Sequence, residues 1–308
     1  MAVEEVNPRE AGPRRLRLFA SAAGILVLCF GRPLLTLAGF ALHHDLYSYI
    51  LLVPCISLYL GWTNRSALPA GPASGRGISL VSLACGVALL AIHWHLARTR
   101  AALAPEDSLA LLALAFVAFL TSLFAVLLGR AALNAMAFPL GFLVLLAPLP
   151  VAATDGIEMV LQHASAAVAH GFFALVGTPI LAEGLIFRLS DITIEVAPQC
   201  SGIHSTLVLF ITSLLAGYWF LQSPWRRTVL SLAVLPLAIL RNGLRIFTIG
   251  ELCVHIGPQM IDSNIHHHVG PIFFVASLVP FFLLLALLIK YERRRSHVPL
   301  PSVPPQHA

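Results

Sequence analysis

The sequence predicts an all-α integral membrane protein. It should have about eight transmembrane helices, an interfacial helix on the outer face, and a short extended hairpin just before Cys200. Three observations lead there. The chain is 58% hydrophobic and 11% charged, with a mean hydropathy of +0.87, whereas soluble domains carry about 25% charged residues. Its apolar runs are long enough to span a bilayer, which takes roughly 20 residues each. Its arginines alternate between abundant and sparse from one connection to the next, as the positive-inside rule requires.

The spans are expected at approximately 16–38, 46–63, 77–97, 108–128, 131–152, 203–222, 227–249 and 270–290. The first follows Arg14, Arg15 and Arg17 and has no small-residue cleavage site leading into a polar domain. It therefore reads as a retained span rather than a signal peptide. Short polar or Pro/Gly-rich breaks separate the others, such as Asn64 to Ser66. Three segments result: a cytoplasmic N-terminal tail (1–15), one polytopic membrane domain (16–290) and a basic, Pro-rich cytoplasmic tail (291–308).

With the N-terminus inside, one side collects Arg9, Arg14, Arg15, Arg17, Arg65, Arg76, Arg130, Arg226, Arg227, Lys290, Arg293, Arg294 and Arg295. The other holds Arg32, Arg98, Arg100 and Arg188. Both termini are then cytoplasmic and the number of spans is even. The net charge of +5 arises beside the spans, so it reports orientation in a lipid bilayer and not nucleic-acid binding.

Residues 154–181 fit less simply. Asp155, Glu158, Gln162, His163 and His170 interrupt an otherwise apolar run, which is read as an interfacial or re-entrant helix on the outer side. A full span here would invert everything after it. From Gly184 to Val196, two short alternating runs flank Ser190 and Asp191, the pattern of a small hairpin.

Chemistry is suggested at three places. Of five cysteines, Cys29, Cys55 and Cys85 lie within spans and Cys253 just past one, where a thiol packs as a small apolar group. Cys200 differs: it follows Pro198, precedes Ser201 and Gly202, and stands where an extended segment becomes a helix. The free N–H groups of a helix start favour a thiolate there. Arg241 and Arg245 lie one turn apart with Asn242 beside them. An arginine within a span costs about 2.5–3.5 kcal/mol on insertion scales. Snorkelling of Arg245 to the interface is one reading of the pair, and an inward polar site is the other. His266, His267 and His268 precede the last span. Either they are solvated, or one of them acts. They complete no zinc motif, and His-Glu-x-x-His is absent, so no metal and no cofactor are expected. In the charge-derived orientation Cys200, Arg245 and His266 share the outer side. A thiolate, an imidazole and a guanidinium are what acyl transfer needs.

These residues also resemble the exosortase/archaeosortase family over nearly the whole chain. The segment from Asp45 to Leu60 is similar to its early Asp-x-x-Tyr-Ser element, although the order here is Asp-x-Tyr-Ser-Tyr. Pro139 to Phe142 and Ala147 to Pro150 are similar to its fifth helix. The strongest matches are Cys200-Ser-Gly-Ile, Asn242-Gly-Leu-Arg-Ile, and His266 with Gly270 four residues on.

The resemblance implies a membrane-embedded cysteine protease/transpeptidase with Cys200, Arg245 and His266 as catalytic residues. Arg241, Asn242, Ser201 and Gly202 would support them or bind substrate. It implies membrane-anchored substrate proteins carrying a C-terminal sorting signal: a short Pro-containing motif, an apolar helix and a basic tail. It also implies a bacterial inner membrane, with the site facing the periplasm. The chain departs from the family at His204, where many relatives have Arg, at Arg241, where a small residue is usual, and at His267, where Asp often follows the His. A transporter with Arg241 and Arg245 as a polar track, and a non-catalytic component of an export or polysaccharide system, are the alternatives.

Overall fold

Backbone amides find no partner in lipid, so runs rich in Leu, Ala, Val and Phe close their hydrogen bonds internally as helices. The computed structural model describes residues 8–68, 75–99, 103–188, 193–196, 201–257 and 264–296. Among these, seven helices are long and apolar enough to cross a membrane, or eight if one bent pair is a single span. The chain is an all-α multi-pass membrane protein. It divides into two compact units, Met1–Thr154 and Asp155–Ala308.

The first unit opens with α1 (Pro8–Cys29) and α2 (Gly31–His43), bent by 69° against each other. Pro33 explains the break, because its ring removes an amide from the first turn of α2. A 3-10 turn (Asp45–Leu51) leads into α3 (Leu52–Thr63), and another (Asn64–Ala67) closes it. Then α4 (Arg76–Arg98) and α5 (Pro105–Ala135) form an antiparallel pair. Small residues let these two approach closely, as membrane helix pairs require. Ser122 Oγ donates to the Ser79 carbonyl at 2.8 Å, and the Phe119 ring lies where a β-carbon on Gly86 would be only 3.0 Å away.

The expected fifth span, 131–152, is not one helix. Helix α5 runs on to Ala135, with a break at Gly129 (φ 86°, ψ 174°). A short α6 (Ala137–Phe142) and a 3-10 turn (Leu143–Leu146) follow. Pro139, Pro148 and Pro150 each delete an amide donor, so no long helix can propagate. The segment nevertheless retraces the bundle. Pro139 O accepts from Ser57 Oγ at 2.8 Å, and Leu149 O from Tyr47 Oη at 3.3 Å. Val151 N donates to Asp107 Oδ1 at 3.0 Å, back at the start of α5.

The second unit holds most of α7 (Val151–Val176), a sheet of β1 (Leu181–Glu183), β2 (Ile186–Arg188) and β3 (Thr193–Glu195), then α8 (Ile203–Phe220), α9 (Pro224–Leu232), α10 (Val234–His255) and α11 (Asn264–Ser296). The strands are antiparallel in the order β1-β2-β3. The expected hairpin corresponds to β2 and β3. The added strand is β1, and the Ser190–Asp191 turn lies outside the described residues. Phe187, Phe173, Ala166, Ala169, Val196 and Ile246 form a buried cluster that joins the sheet to α7 and α10.

The segment expected to be interfacial is thus a continuous 26-residue helix, one of the seven long enough to cross. One face, with Leu161, Gln162, Ser165, Ala166, Ala169 and Phe173, is buried. Its outward face exposes Asp155, His163 and His170.

At the far end of this unit the α8–α9 turn is tied to the last helix. The Glu292 carboxylate accepts from Gln222 N at 3.1 Å, from Ser223 N at 3.0 Å and from Arg226 Nη1. Arg227 Nε donates to Leu221 O at 2.8 Å.

Candidate active site

The segment carrying the candidate nucleophile enters α8 through a backbone conformation that glycine alone adopts readily. Gly202 caps α8 with φ 72° and ψ 18°, in the left-handed region that costs other residues about 1–2 kcal/mol. Ser201 before it is 1% exposed, and its Oγ accepts from Ile203 N at 3.4 Å. The Gly202 carbonyl takes Thr206 N at 3.0 Å, Thr206 Oγ1 at 2.8 Å and Ser205 Oγ at 3.0 Å. Cys200 itself lies outside the described residues.

Against this turn lies the middle of α10. Arg241 Nη2 donates to Gly202 O at 3.3 Å and to Thr206 Oγ1 at 3.4 Å. The side chain is 8% exposed. Its other terminal nitrogen, Nη1, is buried with no hydrogen-bond partner among the described residues. Asn242, 3% exposed, sits beside the same turn: a β-carbon on Gly202 would lie 3.4 Å from its Oδ1. The turn is therefore in direct contact with Arg241, which turns inward. Arg245, one helical turn on, is half-buried. It makes no hydrogen bond or ion pair among the described residues.

Earlier in the chain, β3 ends at Glu195 and Val196 follows it. Val196 N donates to Leu185 O at 2.9 Å, and Gln162 Nε2 of α7 donates to Val196 O at 3.2 Å. Gln162 escaped the sequence reading as a site residue. Its polarity was visible, but it counted there as a reason for α7 not to cross.

His266 falls in the first turn of α11, and nothing further is described of its side chain. Both α8 and α11 run away from this region toward the Glu292 anchor. His204 is exposed at the head of α8. Cys253 is buried, as expected of a packing thiol, while Cys29, Cys55 and Cys85 are exposed at helix surfaces. Among the described residues no group of three His, Cys, Asp or Glu side chains could hold a metal.

The arrangement sets the Ser201–Gly202 turn against the buried Arg241 guanidinium, with Arg245 one helical turn further along α10. In comparisons with known proteins, a family model described as transmembrane exosortase matches residues 41–283. No curated protein matches, and no solved structure matches.

Proposed function

The chain belongs to the transmembrane exosortase family, and from that premise we propose that it is a membrane-embedded cysteine protease/transpeptidase acting on C-terminal sorting signals. In this reading the Cys200 thiolate attacks the scissile carbonyl. The oxyanion that forms is held by Arg245, and His266 gives a proton to the departing amine as the C–N bond breaks. A thioester between the substrate's new C-terminus and Cys200 remains. Water or another nucleophile then resolves it, giving its own proton to the imidazole as the C–S bond breaks and the thiolate is restored.

The observation that carries the reading is the contact between Gly202 and Arg241. It joins Gly202, two residues after Cys200, to the helix bearing Arg245 across a separation of 39 residues. Ser201, Gly202, Arg241 and Asn242 support the site, and the substrates are membrane-anchored proteins with an apolar helix and a basic tail.

The membrane is a bacterial inner membrane, with both chain ends in the cytoplasm and the site facing the periplasm. Helix α7 lies along the outer interface rather than across the bilayer, which its exposed Asp155, His163 and His170 support. Lipid would penalise such a face.

The test is co-expression of tailed substrates with wild type and with Cys200→Ala, read by mass spectrometry. Processing by the wild type alone is expected. A transporter or scaffold would leave substrates intact in both cases, and robust processing by Cys200→Ala would end the cysteine mechanism.

A further inference from the structure

Five residues, 197–201, separate two points that the second unit holds by different means. At Val196 the chain leaves β3 with its amide on Leu185 O and its carbonyl on Gln162 Nε2 at 3.2 Å. At Gly202 it enters α8 with its carbonyl on Arg241 Nη2 at 3.3 Å. Both side chains are more than nine-tenths buried, Gln162 at 8% exposure and Arg241 at 8%. Each stands in a helix where a hydrocarbon side chain would be cheaper.

Each group gives one donor to a backbone carbonyl beside this stretch, Gln162 Nε2 to Val196 O and Arg241 Nη2 to Gly202 O. A buried amide or guanidinium is costly unless satisfied, and these carbonyl contacts offset that cost for Gln162 and in part for Arg241, whose Nη1 has no partner among the described residues. Arg241 is the more telling. Its charge has no acidic partner among the described residues, and its nearest charged neighbour on α10 is another arginine, Arg245.

We infer that Gln162 and Arg241 are positioning residues that clamp the nucleophile segment at its two ends, Gln162 fixing its approach and Arg241 fixing its exit. The inference rests on Cys200 being the nucleophile. The two ends differ in kind. Gln162 is neutral and acts through geometry alone. Arg241 brings a positive charge to the turn two residues after the thiol, and so also favours the thiolate. Thr206 completes the exit clamp, since its hydroxyl lies within reach of the same Nη2.

The experiment uses the full chain in nanodiscs. Alkylation of Cys200 is followed against pH by mass spectrometry, with Cys253 as the buried reference, and turnover of a tailed substrate is measured in parallel. Arg241→Met is expected to raise the alkylation midpoint of Cys200 by about one pH unit. Arg241→Lys, which keeps the charge and loses the fork, is expected to restore the midpoint and only part of the turnover. Gln162→Leu is expected to leave the midpoint in place and lower kcat about tenfold without raising KM. Thr206→Val guards against a folding defect at Arg241, and a modest fall in kcat at an unchanged midpoint is expected. Wild-type midpoints and turnover in Arg241→Met and Gln162→Leu overturn the clamp, while loss of processing in Cys200→Ala keeps the nucleophile assignment. Processing that survives Cys200→Ala removes that assignment instead, whatever the midpoints show.

Discussion

A β-carbon placed on Gly202 would lie 3.1 Å from Nη2 of Arg241, in a residue whose φ of 72° already disfavours any side chain. Gly202→Ala therefore meets two penalties together. The left-handed conformation costs about 1–2 kcal/mol, and the methyl group pushes on a guanidinium that is itself buried. If that strain is expressed in the transition state, processing should fall about 5–30-fold, with the protein still inserted. Quantitative processing of a tailed substrate, normalised to the amount of folded protein, measures it. Wild-type turnover would mean that the turn relaxes without consequence.

Arg245 and Arg241 should respond differently to lysine. Arg245 is half-buried, and its guanidinium fork makes no hydrogen bond or ion pair among the described residues. If that fork holds the developing oxyanion, a compact ammonium cannot replace it. Arg245→Lys should lose most activity, while Arg241→Lys, whose role is to hold a backbone carbonyl, retains more. Steady-state kinetics of both variants decides this, and equal tolerance would point to helix anchoring.

The histidine triplet should separate by function. A free thiol has a pKa of about 8.5, so only a few per cent is thiolate at neutral pH without help. His266→Ala should abolish turnover, because the leaving amine must be protonated to depart. His267→Ala and His268→Ala should keep appreciable turnover. In wild type, a hydroxylamine-sensitive thioester at Cys200 should be trapped by mass spectrometry, and Cys200→Ser should trap little.

Orientation is testable through α8–α11. Reporter fusions after Ser223 and after Ser263 should report opposite compartments, with Ser223 in the cytoplasm. If α7 crosses the bilayer as well as the 137–149 return pass, both assignments invert. An outward Ser223 would thus show that α7 spans.

The Arg226–Glu292 pair should be a stability determinant. The side chains are 7% and 14% exposed, and removing one partner of such a part-buried pair leaves the other charge behind, at a cost below the about 3–5 kcal/mol of a fully buried pair. Glu292→Ala should be the worse of the two single changes, since the Gln222 and Ser223 amides lose their acceptor too. Thermal unfolding in detergent should show a large drop for each, and a double replacement by apolar residues should cost less than the two singles combined.

Much of the fold was legible because lipid makes helix formation nearly obligatory and apolar length is easy to count. The spans around α4, α8 and α11 were legible for that reason. The region from 131 to 176 was not, because two opposing signals met there. Prolines at 139, 148 and 150 broke an apolar run that length alone read as a span. In α7, Gln162 turned inward to a carbonyl while His163 beside it turned outward. A list of residue types does not distinguish an inward amide from an outward imidazole. The same limit held at the site: the sequence could pair Arg241 with Arg245 on one face, but the grip on Gly202 needed the tertiary contact.

The Glu292 anchor has a consequence for how the protein is made. The turn at Gln222 and Ser223 leaves the ribosome long before its acceptor does. At synthesis rates of about 5–20 residues per second, the seventy residues between them take several seconds to add. Throughout that interval Arg226 and two backbone amides lack the carboxylate that later receives them. The hairpin of α8 and α9 therefore arrives in the membrane as a waiting half, locked only when the last helix inserts beside it. Insertion of α11 is then the step that commits the second unit to its final register, and any delay in that step leaves Arg226 open to whatever assists or removes unfinished membrane proteins.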